Sequence, residues 1–174
     1  GSCCGTEAVD DARQVARRLG IPYYLLDMAA EFDRAVIGRF ADDYRAGRTP
    51  VPCVACNSDL KFGSLLARAR AWDAAGVATG HYARVARDPA TGRWLLLRAR
   101  DARKDQTDFL WPLTQAQLAA ARFPVGELTK AEVRERARQL GLVTADKPES
   151  QEICFVPDGD YRGFLRQRDP AIFS

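Results

Sequence analysis

The sequence has 174 residues, of which 47% are hydrophobic and 28% are charged, and its formal net charge is +3. These values are typical of a soluble globular domain and exclude an intrinsically disordered chain. Apolar runs such as Trp94–Leu97 are far shorter than the roughly 20 residues of a membrane-spanning helix, and no secretory signal is recognisable. We therefore expect a cytoplasmic protein without a membrane span.

Helical and extended patterns alternate along the first half of the chain. They predict, in order, helix 7–19, strand 23–26, helix 32–44, helix 60–72 and strand 77–79. Pro50 and Pro52 exclude a helix just before Cys53 and Cys56, so this C-x-x-C pair is predicted on a loop that enters the third helix. The alternation predicts an α/β fold with a parallel sheet.

A hairpin and two further helices are predicted in the second half. Segments 82–85 and 94–97 flank Asp88–Gly92, whose composition is typical of a hairpin connection. One helix is predicted to begin at Thr114, and another follows the capping box that starts at Thr129. The residues of this last helix expected to face inward are Val133, Ala137 and Leu140.

Positive charge is concentrated between Arg84 and Lys104. This segment holds seven basic residues against two acidic ones. A segment of this kind could follow the phosphates of a nucleic acid, or it could be a solvated arginine-rich hairpin. Composition alone leaves both interpretations open.

Five cysteines and one histidine are the other candidates for chemistry. Cys56 is predicted near a helix start, where the helix dipole and Lys61 would favour the thiolate, and an inert thiol is the equal alternative. Cys154 has apolar neighbours, which favours a buried inert thiol. His81 follows Gly80 at the end of a predicted strand, where α/β proteins bind ligands, although a structural hydrogen bond is the commoner role. A structural zinc site usually needs four ligands in paired motifs, and one cysteine pair with one histidine does not match that pattern, so no metal site is expected.

Several short motifs follow one another along the chain. They are Cys53–Asn57, Leu60–Gly63, Ala78–Tyr82, Lys104–Gln106, Phe123–Lys130 and Glu149–Phe155. Each motif alone is modest, but as an ordered series they make the sequence similar to the bacterial tRNA-specific 2-thiouridylase (MnmA) family. The resemblance runs from Cys3-Cys4 to Tyr161–Leu165, which is nearly the whole chain.

The resemblance implies a fold and an activity. The fold would be a partial adenine-nucleotide alpha hydrolase-like (PP-loop) parallel sheet over residues 1–104, including the basic hairpin, followed by a mostly helical central domain over residues 105–174. The activity would be ATP-dependent sulfur transfer to C2 of the wobble uridine of tRNA, through adenylation of the C2 oxygen. ATP would act with Mg. Expected partners are tRNAs for lysine, glutamate and glutamine, and a sulfur-relay protein or cysteine desulfurase.

The resemblance also implies roles for individual residues. Cys154 would carry the persulfide sulfur, and Cys56 would attack it or complete a disulfide with it. Gly80 would contact ATP through its backbone. The residues implied in RNA contact are Val51, Pro52, Cys53, His81, Lys104, Asp105 and Gln106.

Three positions depart from the family pattern. Val51 stands where asparagine is common, and Thr107-Asp108 stand where serine and tyrosine are usual, so contacts with RNA would be weaker there. Cys53 adds a third thiol, which allows an iron–sulfur mechanism. The alternative ligands of a [4Fe–4S] cluster are Cys53, Cys56 and Cys154.

Two other functions stay open at this point. Family members begin with a Ser-Gly-Gly-x-Asp-Ser phosphate loop and end with β-barrel domains, and neither is recognisable here, so we expect an internal fragment that is inactive alone. A non-catalytic RNA-binding or iron–sulfur-binding module is one alternative. Another ligase of the ATP-pyrophosphatase superfamily is the second, and the paired thiols argue against it because amide formation after adenylation needs no cysteine.

Overall fold

The computed structural model describes residues 6–148, 153–156 and 159–173, and most of its elements are short. The α-helices are α1 (Thr6–Leu19), α2 (Ala29–Phe32), α3 (Arg39–Arg45), α4 (Pro52–Ala55), α5 (Leu66–Ala71), α6 (Gln115–Ala120), α7 (Lys130–Gln139) and α8 (Tyr161–Arg168). The strands are β1 (Val77–Ala78), β2 (Ala83–Arg87), β3 (Trp94–Arg98) and β4 (Ala121–Arg122). Two π-helical segments cover Asp33–Gly38 and Cys56–Leu65, and a 3-10 turn covers Thr107–Phe109.

The chain packs as two compact units. The first unit comprises the described residues of Gly1–Ala29, Phe40–Pro50 and Arg134–Ser174, and the second comprises Ala30–Arg39 and Val51–Val133. Both units are therefore discontinuous in sequence, and the second crosses the predicted division between residues 104 and 105. That division, drawn from resemblance, stays a prediction.

A parallel strand pair lies at the centre of the second unit. β1 pairs with β4 in the register Val77 to Ala121 and Ala78 to Arg122. Helical residues pack against the pair, so the second unit has the predicted α/β character. Its buried core consists of Phe62, Leu66, Ala69, Val77, Ala83, Leu110, Leu113, Leu118, Ala120, Ala121 and Phe123.

The predicted hairpin is confirmed. β2 and β3 pair in antiparallel register from Ala83 with Arg98 to Arg87 with Trp94. In the turn, Asp88 accepts hydrogen bonds from the backbone N–H of Ala90 and the hydroxyl of Thr91. The sequence could predict this element because its turn chemistry is entirely local.

Aromatic side chains form the core of the first unit. Its buried residues are Phe40, Ala41, Leu165 and Ile172, with Tyr44, Ile153, Phe155, Tyr161 and Phe164 around them. The rings of Phe40 and Phe155 meet edge to face at 5.3 Å. Lys147 contributes a polar link by pairing with Glu7 (2.7 Å) and with Asp11. The aromatic packing joins α3 and α8 to the segment around residue 155.

The predicted capping box at Thr129 forms, and the helix predicted to start at Thr114 begins with a second capping box, which was not predicted. Thr114 and Gln117 exchange the reciprocal hydrogen bonds at the start of α6. At the start of α7, Glu132 accepts hydrogen bonds from the backbone N–H and hydroxyl of Thr129, and Thr129 accepts one from the N–H of Glu132. The prediction that Leu140 faces inward is wrong, because it lies just beyond α7 with 51% of its surface exposed.

The predicted strand 23–26 is absent from the structure. Residues 21–28 have no regular structure, and the side chains of Tyr24 and Leu25 are 76% and 65% exposed. An apolar run becomes a strand only when a neighbouring strand pairs with its backbone, and within residues 6–148, 153–156 and 159–173 none does. None of the described helices is both long enough and apolar enough to span a membrane.

Candidate functional site

The carboxyl ends of β1 and β4 meet at Thr79, Gly80 and His81. The backbone N–H of Thr79 donates to the carbonyl of Arg122 at 3.0 Å, which extends the parallel pairing by one residue. Gly80 is exposed, and a Cβ placed there would have no atom within 4 Å. A ligand can therefore approach this backbone closely, at the edge of a parallel sheet where α/β proteins bind nucleotides.

His81 is held in a neutral form beside this glycine. Its Nδ1 lies 2.7 Å from the hydroxyl oxygen of Thr79, and its ring meets the ring of Phe123 edge-on at 6.0 Å. Burial lowers the pKa of His81 to about 4, and the positive charge of Lys61 adds to this effect. At neutral pH the imidazole therefore carries no positive charge, and the predicted contact of His81 with RNA stays a prediction.

The cysteine pair lies within a helix, so the predicted loop placement is wrong. Pro52 opens α4, a position where its missing N–H and fixed φ are favourable. Exposed Cys53 stands in the first turn, and half-buried Cys56 stands one turn later, with its N–H bonded to the carbonyls of Pro52 and Cys53. The helix dipole acts mainly within the first turn, so Cys53 lies where it is strongest and Cys56 lies one turn beyond the helix start, near which it was predicted. Both side chains are thiols in the structure.

Asn57, next to Cys56, is a buried amide whose role could not be predicted from the sequence motif alone. Only 2% of its surface is exposed, and its Nδ2 donates to the carbonyl of Phe109 at 3.1 Å. Its Oδ1 is buried without a hydrogen-bond partner among the described residues. The sequence feature that could have pointed to Asn57 is its position as an amide residue directly after the C-x-x-C pair. Asn57 thus connects the thiol-bearing helix to the turn that follows Lys104, Asp105 and Gln106.

Asp105 and Gln106 are engaged within the protein. Gln106 exchanges two hydrogen bonds of 2.9 Å with the backbone of Tyr82, one through its side-chain oxygen and one through its own N–H. Asp105 accepts from the N–H of Ala99 at 2.6 Å and from Thr107. Burial would raise the pKa of Asp105, but the hydrogen bonds from Thr107 and Ala99 together hold it below its usual value. These two side chains therefore shape the segment, and a role in RNA contact stays a prediction.

The basic hairpin is partly neutralised by its own surroundings. Arg84 pairs with Glu127 at 3.2 Å, and Arg100 pairs with Glu132 at 3.2 Å. By contrast, exposed Arg93 and Arg103 have side chains without a hydrogen bond or ion pair to any part of the chain that the structure describes. The segment therefore contains both internally paired arginines and arginines available to an anionic partner.

Cys154 belongs to the first unit. It is half-buried, and its neighbours Ile153 and Phe155 pack around the core that contains Phe40. The N–H of Val156 donates to the carbonyl of Ile153 at 2.9 Å and closes a turn around the cysteine. Residues 149–152, which belong to the same motif as Cys154, lie outside the described residues. Cys3 and Cys4 also lie outside them.

The second unit brings several predicted residues together. Phe62, from the helix that follows Cys56, contacts Phe123, and Phe123 contacts His81, so the cysteine helix packs against the Gly80 end of the sheet. Among the described residues, no three Cys, His, Asp or Glu side chains are arranged to hold a metal ion. Cys53 and Cys56 belong to the second unit and Cys154 to the first, and the iron–sulfur ligand set and the roles assigned to the individual residues stay predictions.

Comparison with known proteins gives consistent matches. Residues 1–158 match the model of a family described as tRNA methyl transferase HUP domain. The chain is 53% identical over 170 residues to the tRNA-specific 2-thiouridylase MnmA of Heliobacterium modesticaldum, covering 98% of this chain and 44% of that protein. The MnmA of Carboxydothermus hydrogenoformans is 55% identical over 166 residues, or 95% of this chain and 46% of that protein. The chain thus spans less than half the length of these curated relatives.

Proposed function

Because the chain belongs to the tRNA methyl transferase HUP domain family, an α/β family that binds ATP, we propose that it forms part of an ATP-dependent tRNA sulfurtransferase. The product would be 2-thiouridine at the wobble position. The relatives named tRNA-specific 2-thiouridylase, at 53% and 55% identity, support this proposal. We place the reaction in the cytoplasm, with tRNAs for lysine, glutamate and glutamine as substrates and a sulfur-relay protein or cysteine desulfurase as donor.

The observation that carries the proposal is a thiol-bearing helix packed against an open strand end. Half-buried Cys56 begins the π-helical segment, and Lys61 of that segment acts electrostatically on His81, next to exposed Gly80. A nucleotide bound over Gly80 would therefore lie near the helix that carries the Cys56 thiol. The family description names methyl transfer, but the thiols at this place favour sulfur transfer.

The proposed reaction uses the two thiols in sequence. ATP, acting with Mg, converts the C2 oxygen of the uracil into an AMP ester and releases pyrophosphate. The terminal sulfur of a persulfide on Cys154 then attacks C2, and AMP leaves. The Cys56 thiolate attacks the Cys154 sulfur, which breaks the S–S bond, leaves sulfur on the uracil and joins the two cysteines in a disulfide. A thiol reductant then restores both thiols, so the electrons balance.

The thiol assignments can be tested in a chimera that places this chain in the matching region of the Heliobacterium relative. Cys154→Ser should abolish 2-thiouridine, measured by mass spectrometry of digested tRNA, while pyrophosphate release continues because adenylation does not use the thiol. Cys56→Ser should stop turnover with an extra sulfur atom retained on Cys154. Full thiolation by Cys154→Ser would overturn the assignment.

Cys53→Ser separates the two sulfur mechanisms in the same chimera. A persulfide enzyme should lose little activity, because Cys53 then only contributes to the base-contacting region. An iron–sulfur enzyme should lose both its iron and its activity, since two remaining thiolates hold a four-iron cluster poorly. Iron and sulfide analysis after anaerobic reconstitution, compared between wild type and Cys53→Ser, measures the difference.

A further inference from the structure

The amide of Gln117 bridges two elements of the second unit. Its Nε2 donates to the carbonyl oxygens of Ser58 and Phe62, both at 3.0 Å. Its Oε1 accepts from the backbone N–H of Thr114 at 2.8 Å and from the Thr114 hydroxyl at 3.1 Å. A carbonyl oxygen can only accept, so the NH₂ group must face Ser58 and Phe62, and the chemistry fixes the orientation of the amide.

The two carbonyls belong to one turn of the π-helical segment that begins at Cys56. Ser58 and Phe62 are four residues apart, and the two hydrogens of the Gln117 amide span the distance between their carbonyls. π-helical hydrogen bonding is uncommon and is found often at functional sites. An external donor that satisfies two carbonyls of such a turn stabilises this conformation over an ordinary α-helical one.

A second amide holds the same turn from another side. Asn57, directly after Cys56, donates to the carbonyl of Phe109. Gln117 and Phe109 are both more than 50 residues away in sequence from the turn that they contact. The backbone that carries Cys56 is therefore fixed by long-range contacts as well as by local helix formation.

We propose that Gln117 is a positioning residue for the Cys56 thiol. By holding the turn that contains Ser58 and Phe62, Gln117 fixes the place of the Cys56 sulfur and the charges around it. The importance of this role rests on the proposed sulfur-transfer function. Its effect, however, is measured on the thiol itself, so the inference and the function can fail separately.

The test compares two variants of this chain. Gln117→Met keeps the length of the side chain and removes both hydrogen bonds to the turn. Thr114→Ala removes the hydroxyl that caps α6 and keeps the Gln117 amide, so it is the matched control. Alkylation of Cys56 by iodoacetamide is followed by mass spectrometry across a range of pH. Cys154, in the first unit, serves as the internal reference.

We expect Gln117→Met to shift the pH midpoint of Cys56 alkylation by about half a unit or more, which corresponds to about threefold in rate below the midpoint. Thr114→Ala should leave the midpoint in place, and Cys154 should react equally in all three proteins. An unchanged midpoint in Gln117→Met, or an equal shift in Thr114→Ala, would overturn the proposal.

Hydrogen exchange provides a second readout that does not depend on the thiol. Gln117→Met should speed exchange in peptides that cover residues 56–66 and leave the hairpin, residues 83–98, unchanged. Should Gln117→Met fail to fold, Gln117→Glu keeps the acceptor contacts to Thr114 and takes its place in this measurement. Equal protection of residues 56–66 in wild type and variant would contradict the inference.

Discussion

At the scale of single residues, the neutral imidazole of His81 makes folding stability depend on pH. Its folded pKa is about 4 and its ordinary value is 6.5, because burial disfavours the charged form. Between these values the unfolded chain binds the proton more readily, so the free energy of unfolding should fall as the pH drops from about 7 toward 4. His81→Gln should remove this contribution, which we expect to be about 1–2 kcal/mol because the ring is only partly buried.

Urea unfolding at about pH 7.5 and about pH 5 measures this effect. Carboxylates also titrate near the lower pH, so the informative quantity is the difference in pH dependence between wild type and His81→Gln. Thr79→Val, which removes the hydroxyl partner and keeps the imidazole, is the control for loss of the hydrogen bond. If wild type and His81→Gln lose equal stability on acidification, the imidazole is not held neutral by the fold.

At the scale of elements, two glycines provide a matched pair of substitutions. A Cβ at Gly126 would lie 1.8 Å from the carbonyl oxygen of Ala83 in β2, whereas a Cβ at Gly80 would meet nothing within 4 Å. Gly126→Ala should therefore destabilise the second unit by about 3 kcal/mol or more, because backbone must move. Gly80→Ala should retain normal stability and weaken nucleotide binding instead. Thermal unfolding and ATP titration distinguish the two, and a fully stable Gly126→Ala would contradict the packing.

Local chemistry decides which elements the sequence could predict. The Asp88–Gly92 turn, the helix start at Thr114 and the capping box at Thr129 contain their own hydrogen-bond partners within a few residues, so their sequences were sufficient to predict them. The predicted strand 23–26 failed because its formation depends on a neighbour elsewhere in the chain. The helix 60–72 was predicted, but neither its continuation back through Cys56 and Cys53 to Pro52 nor its π-helical segment was.

The same reasoning applies to the candidate site. Gly80 and His81 could be placed at a strand end, since a strand followed by glycine is a local pattern. The roles of Asn57 and Gln117 could not be predicted, because their hydrogen-bond partners are 52 to 59 residues away. Only the folded second unit brings those amides to their carbonyls.

At the scale of the whole molecule, the distribution of arginine partners predicts which arginines would contact the proposed tRNA substrate. Arg93 and Arg103 have no side-chain partner in residues 6–148, 153–156 and 159–173, whereas Arg84 and Arg100 pair with glutamates. Replacing Arg93 and Arg103 by serine should weaken tRNA binding and reduce its salt dependence. The logarithmic slope should fall by about 0.7–0.9 for each phosphate that an arginine no longer neutralises.

Fluorescence anisotropy of labelled tRNA over a salt series measures this slope. The control removes the same charge from exposed positions of the first unit, Arg17→Ser with Arg136→Ser. We expect the control to leave the slope closer to the wild-type value. Identical slopes for wild type and the Arg93/Arg103 variant would identify the hairpin as a solvated surface.

The division into two units has a spectroscopic consequence. All three tryptophans, Trp72, Trp94 and Trp111, belong to the second unit, whereas four of the five tyrosines belong to the first. Tryptophan emission excited near the red edge of its absorption therefore reports only on the unit that carries Cys56. The stacked rings of Tyr44 and Tyr161, with centroids 5.1 Å apart, give the first unit its own near-ultraviolet dichroism. The chain thus contains intrinsic optical probes that can follow its two thiol-bearing units separately, without any added label.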